Sequence, residues 1–178
     1  DTQSDNEVQQ RHAGIVALAW SPTANQLAFT SGSEPDSRSF VGPLRLMDAA
    51  SGEVHLLSQE PIIAFFWSPD GRYLAAISIL RNGEGDINVQ GGKTAVGKRA
   101  DKRAVQQNLP RLRLLVYDVT TDEGRLLFEF VPTFTFATQF LPFFDQYALS
   151  HQIWSPQSVA LVLPIVEDGR NQIFIINI

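Results

Sequence analysis

The sequence predicts an all-β chain built from repeated four-stranded antiparallel sheets, and three observations carry that prediction. A tryptophan followed by Ser-Pro recurs at Trp20, Trp67 and Trp154. Each copy runs through a short polar turn into an apolar stretch: "QLAFTS" (26–31), "RYLAAIS" (72–78) and "SVALVLP" (158–164). Each then reaches a second apolar run ending in a polar residue: "LRLMD" (44–48), "LLVYD" (114–118) and "IFIIN" (173–177). Self-similarity of this kind marks a repeat in which each copy is one supersecondary unit.

Within a copy the elements follow in order. The run up to the tryptophan is rich in β-branched and aromatic residues and reads as a first strand. Pro22, Pro69 and Pro156 end it, because proline cannot donate to a ladder and holds the residue before it extended. Asp70-Gly71 supplies the positive-φ positions of a tight hairpin into the second strand. The third copy has Gln157-Ser158 in that place, so a looser hairpin is expected there. Asp48 and Asp118 close the third strands, where their carboxylates can accept from the backbone two residues on and open the next turn. Fourth strands follow in the first two copies, within "AASGEVHLLS" (49–58) and "VTTDEGRLLFEF" (119–130). Each tryptophan is expected to pack between successive units, since large aromatics dominate such contacts.

Four short antiparallel strands per repeat with one aromatic motif each is the signature of a β-propeller blade. The stretch "WSPDGRYLAAIS…LLVYDV" resembles the repeat of TolB-like, WD-like propellers and the propeller blades of prolyl-oligopeptidase-type peptidases, and the resemblance extends over residues 15–178 apart from two insertions. It implies a partial propeller of about three blades: the first at about 15–58, the second at about 62–130 with a loop insertion at 81–110, and an incomplete third at about 151–178. Propellers usually close with about 4–8 blades. Two readings stay open: a part of a longer propeller, or copies of the chain that assemble to complete the ring. The polar run "NEVQQR" (6–11) is a candidate outer strand for the third blade.

Bulk composition narrows the function classes. The chain has 178 residues, 44% of them hydrophobic and 19% charged, which suits a globular domain with a real core. A net charge of -5 gives no bulk attraction to nucleic acid or anionic membrane. Cysteine is absent, which removes disulfides, thiol nucleophiles and thiolate metal sites and suits either a bacterial envelope or the cytoplasm. No apolar run approaches the ~20 residues of a membrane span, and the polar start "DTQSDNEVQQR" does not read as a signal peptide.

Strand order assigns the loops to two sides of the disc. Turns between first and second and between third and fourth strands share one side, and all are short. The other side carries 31–42, the insertion 81–110 and the link 131–150. Loops beyond about 12–15 residues are usually functional or disordered, so a binding site is expected on that second side. Two stretches are candidates. The first is basic: Lys93, Lys98, Arg99, Lys102, Arg103, Arg111 and Arg113 stand against Asp101 alone between 93 and 113. It reads either as an arm that captures an acidic protein or peptide, with Lys98, Arg99, Lys102 and Arg103 at its centre, or as a solvated loop. The second is the aromatic link. Phe143, Phe144 and Tyr147, with Asp145, Gln146 and His151, can roof a ligand pocket, or the link can plug the centre of the disc.

No catalytic constellation emerges, and no cofactor or metal is expected. Ser150 and His151 are adjacent in sequence, a poor geometry for a nucleophile and its base, and no G-x-S-x-G elbow occurs. "GGKT" (91–94) lacks the glycine a phosphate loop needs at position 87, which is Ile87. His12, His55 and His151 lack ligand spacing, and His55 is expected to face solvent from an outer strand. The expected function is a non-catalytic scaffold that binds protein or peptide on its loop-rich side. The alternative is an accessory propeller domain of a larger hydrolase, gating substrate access.

Overall fold

The computed structural model describes residues 15–32, 41–80, 109–147 and 153–178. Seven strands form one continuous antiparallel meander: β1 (Ile15–Trp20), β2 (Gln26–Ser31), β3 (Gly42–Asp48), β4 (Val54–Trp67), β5 (Tyr73–Ile79), β6 (Leu112–Asp118) and β7 (Glu123–Phe130). A second sheet holds β8 (Ala160–Glu167) and β9 (Arg170–Asn177). The antiparallel architecture is propeller-like, and the described sheets do not close on themselves. The expected outer strand at 6–11 and most of the insertion 81–110, with Lys98, Arg99, Lys102 and Arg103, lie outside the described residues.

The sheet break expected between the first two repeats is absent. β4 is one long strand whose first part pairs with β3, from Met47 opposite Val54 to Gly42 opposite Ile62, and whose last part pairs with β5, from Ile62 opposite Ser78 to Trp67 opposite Leu74. It is the fourth strand of one unit and the first of the next. The crossing at Ser58–Glu60 is held by polar contacts. Tyr117 Oη donates to Ser58 Oγ at 2.7 Å, and Glu60 accepts from Ser78 Oγ at 3.2 Å. Glu60 and Glu129 also flank Arg113, at 3.4 and 3.3 Å. Arg113 therefore belongs to β6 and an ion-pair cluster, which takes it out of the basic arm.

The third unit begins earlier than expected. Pro132 bridges Ile165 and Trp154 bridges Leu161, both antiparallel, and backbone bonds from Thr133 N to Pro164 O and from Val162 N to Ile153 O fill in the ladder. Two separated pieces, 131–133 and 153–155, thus share the place of a first strand beside β8. The chain between them leaves the sheet.

The serine of each Ser-Pro organises its hairpin, a role that the motif reading overlooked although the residue recurs in all three copies. The N–H groups of Ser21, Ser68 and Ser155 donate to Gln26, Tyr73 and Ala160 carbonyls, each at 2.8 Å. Their hydroxyls accept backbone N–H groups in turn: from Ala24 at 3.2 Å, Tyr73 at 2.8 Å and Ala160 at 3.1 Å. The third hairpin is no looser than the second. Ser158 adopts φ 59° where Gly71 has 72°, and Ser158 N donates to Ser155 O at 2.9 Å just as Gly71 N does to Ser68 O. At the other turns Asp48 Oδ1 accepts from Ala50 N and Ser51 N, and Asp118 Oδ1 accepts from Thr120 N.

Successive units are joined by one repeated contact. Trp67 Nε1 donates to Ala19 O at 3.1 Å, and Trp154 Nε1 donates to Phe66 O at 3.0 Å. Each indole thus reaches the residue before the tryptophan of the preceding unit. Trp20 departs from the expected packing role: it is 55% exposed, with no described unit before it. His55 lies on the outer part of β4 with its side chain 41% exposed, and its Nε2 is 3.1 Å from Asp122 Oδ1 of the second unit.

Candidate functional site

The excursion between Thr133 and Ile153 is the most distinctive local structure. It starts with Ala137 N donating to Thr133 O and continues as a π-helical turn (Phe136–Phe140), a 3-10 turn (Leu141–Phe143) and one α-helical turn (Phe144–Tyr147). Pro142 sits near the start of the 3-10 turn, where a missing N–H costs nothing. Apolar residues at 136, 140, 141 and 144 give the segment one buried side.

That side is seated on β4. Beyond Ile62 the strand pairs only with β5, so its other edge is available to the insert. Phe65 and Phe66 are neighbours on the strand and point to opposite faces. Phe144 meets both rings edge-on, at centroid distances of 5.2 and 5.6 Å, so it straddles the edge of β4. Phe140 stacks on Phe66 at 5.9 Å and on Phe136 at 5.0 Å. Edge-to-face and offset pairs of this kind add about 0.5–1.5 kcal/mol each beyond area burial.

The candidate residues of the link are therefore split. Phe144, 6% exposed, is a core residue and is not available as a ligand contact. Phe143, Asp145 and Gln146 are exposed, as is Phe134. Tyr147 ends the last helical turn, but its side chain, like His151, lies outside the described residues. The arrangement offers two aromatic rings, a carboxylate and a carboxamide to solvent from a base pinned by buried rings.

The Ser-Pro turns form a second polar cluster, running from unit to unit. Thr23 Oγ1 donates to Asp70 O at 3.2 Å, and Asp70 N donates to Ser158 Oγ at 3.0 Å. Burial works to raise the Asp70 carboxyl, but hydrogen bonds from Ser68, Arg72 N and Ser158 outweigh it and hold the group below the usual carboxylate range. Arg72 pairs with Asp118 at 2.9 Å and lies 5.0 Å above the Tyr73 ring, which stacks on Trp154 at 6.3 Å. The Asp70–Ser158 and Tyr73–Trp154 contacts tie the second unit to the third. A groove of about 400 Å³ opens beside them, lined by Tyr73, Val116, Asp118, Glu123, Gly124 and Arg125. Among the described residues no three His, Asp or Glu come together as a metal site. No described helix is long and apolar enough to cross a membrane.

No family model matches the chain, and no curated protein matches it in sequence. Solved structures do match in fold. The tricorn protease superposes with a TM-score of 0.50 at 13% identity, covering 85% of this chain and 11% of the protease. A eukaryotic initiation factor gives 0.51 at 13% identity, covering 95% of this chain and 31% of that one. TolB from Acinetobacter baumannii gives 0.49 at 14% identity over 93% of this chain and 30% of TolB. The chain thus spans less than a third of the length of each. At these identities the likeness supports a propeller-like fold and no particular family.

Proposed function

We propose that the chain is a three-blade part of a TolB-like propeller and serves as a non-catalytic scaffold that binds a protein or peptide on its loop-rich side. The observation that carries this reading is the two-sidedness of the insert 134–147. Phe136, Leu141 and Phe144 anchor it, while Phe134, Phe143, Asp145 and Gln146 are exposed together. Exposed aromatics on a rigid base are efficient contact groups, because little conformational entropy is lost on binding. The basic stretch around Lys98, Arg99, Lys102 and Arg103 belongs to the same side by strand order and adds preference for acidic ligands.

The test is selection from a random peptide library displayed on phage. Enriched sequences should be acidic and contain apolar residues, and a synthetic peptide should bind at micromolar levels or better. Phe143→Ala should weaken that binding at least tenfold with the far-UV spectrum unchanged. Failure to enrich any peptide, or binding indifferent to both Phe143→Ala and reversal of the four basic residues, overturns the reading.

A second reading is an accessory domain that gates access to the catalytic part of a larger hydrolase. The match to one part of the tricorn protease favours it. The coding sequence around these 178 residues separates the two. A neighbouring nucleophile elbow supports the accessory domain, and further Trp-Ser-Pro repeats alone support the scaffold.

A further inference from the structure

The insert 134–147 touches more of the molecule than the strand that anchors it. β1 and the later part of β4 are the first strands of their units, paired on one side with β2 and β5. The turn Phe144–Tyr147 lies against both strands, with Cα atoms within 8 Å of each. The chain reaches that place from the third unit, since Pro132 and Trp154 on either side of the excursion pair with Ile165 and Leu161. Phe144 stands at the meeting point. Phe65 shares a face of β4 with Trp67, whose indole donates to Ala19 O of the first unit. Phe66 lies on the opposite face, where its ring stacks on Phe140 and its carbonyl accepts from Trp154 Nε1. Phe144 meets both rings, so it reaches the junction of the first and second units and that of the second and third. Ala17 of β1, Phe65, Phe66 and Phe144 all belong to one buried cluster.

We infer that the insert is a strap that couples the first unit to the third across the second, with the Phe144 ring as its fastening. Stacked repeats ordinarily touch only their neighbours, so their stabilities combine pairwise. A ring shared by two junctions breaks that rule, because loosening one junction removes a partner from the other. The order of β1 thus depends on a side chain that the third unit supplies. The coupling is carried by a chain of packed aromatic rings rather than by the backbone ladder. It holds whichever ligand the exposed side of the insert takes.

Amide hydrogen exchange of the 178-residue protein and its Phe144→Ala variant, read strand by strand, tests the coupling. In the variant the amides of Ala17–Trp20 in β1 should exchange at least about tenfold faster, while those of β6 and β7 should change less than about threefold. β6 and β7 serve as the reference because their own ladder holds them together. A second measurement uses the absence of cysteine from the chain. Ala17→Cys then supplies a single thiol at a buried position of β1. Its labelling should quicken on adding Phe144→Leu, a milder change that keeps the comparison open if Phe144→Ala does not fold. Equal acceleration in β1, β6 and β7 would make Phe144 an ordinary core residue and overturns the proposal. So does unchanged protection of β1 beside faster exchange in β8, or thiol labelling that ignores Phe144→Leu, since either confines the insert to the second and third units.

Discussion

β4 and its counterpart in the next repeat solve the same problem in different ways. Both carry the chain from the outer strand of one unit to the inner strand of the next. β4 does so as one strand, with six residues from Ile62 through Trp67. Its counterpart takes twenty-three from Pro132 through Trp154 and leaves the sheet in between. The departure falls at a defined place. β1 has an irregularity between Ile15 and Ala17, just after the pair with Ser31, and β4 has one between Ile62 and Ala64, just after the pair with Ser78. Pro132 pairs with Ile165 at the same register, and there the helical excursion begins. A bulge already leaves one residue outside the ladder, so this is where added chain disturbs pairing least. The insert is best described as that bulge enlarged. The ladder resumes at Trp154, and the indole contact to Phe66 is kept.

If the insert is tied to the frame by its anchor rather than by its ends, removing the anchor should have the largest effect. Phe144→Ala leaves a void against Phe65 and Phe66 and should cost about 3–5 kcal/mol, the range for large-to-small changes at buried aromatics. Its neighbour Phe143, exposed on the same turn, should cost less than about 0.5 kcal/mol on truncation. Urea unfolding of the two variants measures the contrast. Equal losses would mean that the insert packs as a whole and has no solvent-facing side.

The second contrast sets Trp154 against Trp20. Trp154→Phe removes the donor to Phe66 O and part of a buried ring, at a cost of about 1–3 kcal/mol. The same change at Trp20 in dilute protein should be within about 0.5 kcal/mol of neutral. Thermal or urea unfolding tests both, and a large loss at Trp20 would show that the first indole already has a partner within one chain.

These contrasts also mark what was readable beforehand. Strand content and order were legible, because Ser-Pro, Asp-Gly and the alternating apolar runs act locally. Two features were not. β4 bridges two units because nothing between Ser58 and Ile62 forces a turn, and Pro61 sits in a strand at the crossing rather than breaking it. Pro is tolerated there because only the Gly42–Ile62 and Leu44–Ser58 pairs flank it across a register shift. The early start of the third unit was hidden because pairing of Pro132 with Ile165 is decided by register, not by composition. In the candidate link, the aromatic crowding was visible, but which ring turns inward was not. Phe143 and Phe144 are adjacent and chemically identical, and only the helical phase set by the π and 3-10 turns separates them.

The turns give a smaller comparison. Gly71 and Ser158 hold the same positive-φ position, yet a Cβ at Gly71 would lie 2.0 Å from Thr23 Oγ1. Gly71→Ala should therefore cost about 1–2 kcal/mol, from the conformation and from displacing Thr23 from its bond to Asp70 O. Adding Thr23→Ala should recover the steric part. No recovery in the double variant would assign the whole cost to the backbone.

The least effect expected is on the acid limb of stability, and it too separates regions. The Asp48, Asp70 and Asp118 carboxyls are all held below the ordinary value. Hydrogen bonds from Ser51 and Ala50 do this at Asp48. At Asp70 and Asp118 burial acts in the raising direction and is overcome, by Ser68, Arg72 N and Ser158 at Asp70 and by Thr120 and Arg72 at Asp118. A carboxyl lowered in the folded state contributes stability that is present above the unfolded value of about 3.9 and is lost as pH falls through the folded value. Stability should thus be level from pH 7 to about pH 5 and decline below about pH 4. Asp70→Asn removes one of the three groups, so its deficit relative to the unmodified protein should shrink as the pH drops from 5 to 3. Because Asp70 also receives Thr23 Oγ1 and donates to Ser158 through its backbone, which asparagine retains, the unit-to-unit contacts should survive the change. A deficit that stays constant with pH would assign the Asp70 contribution to turn conformation rather than to its charge.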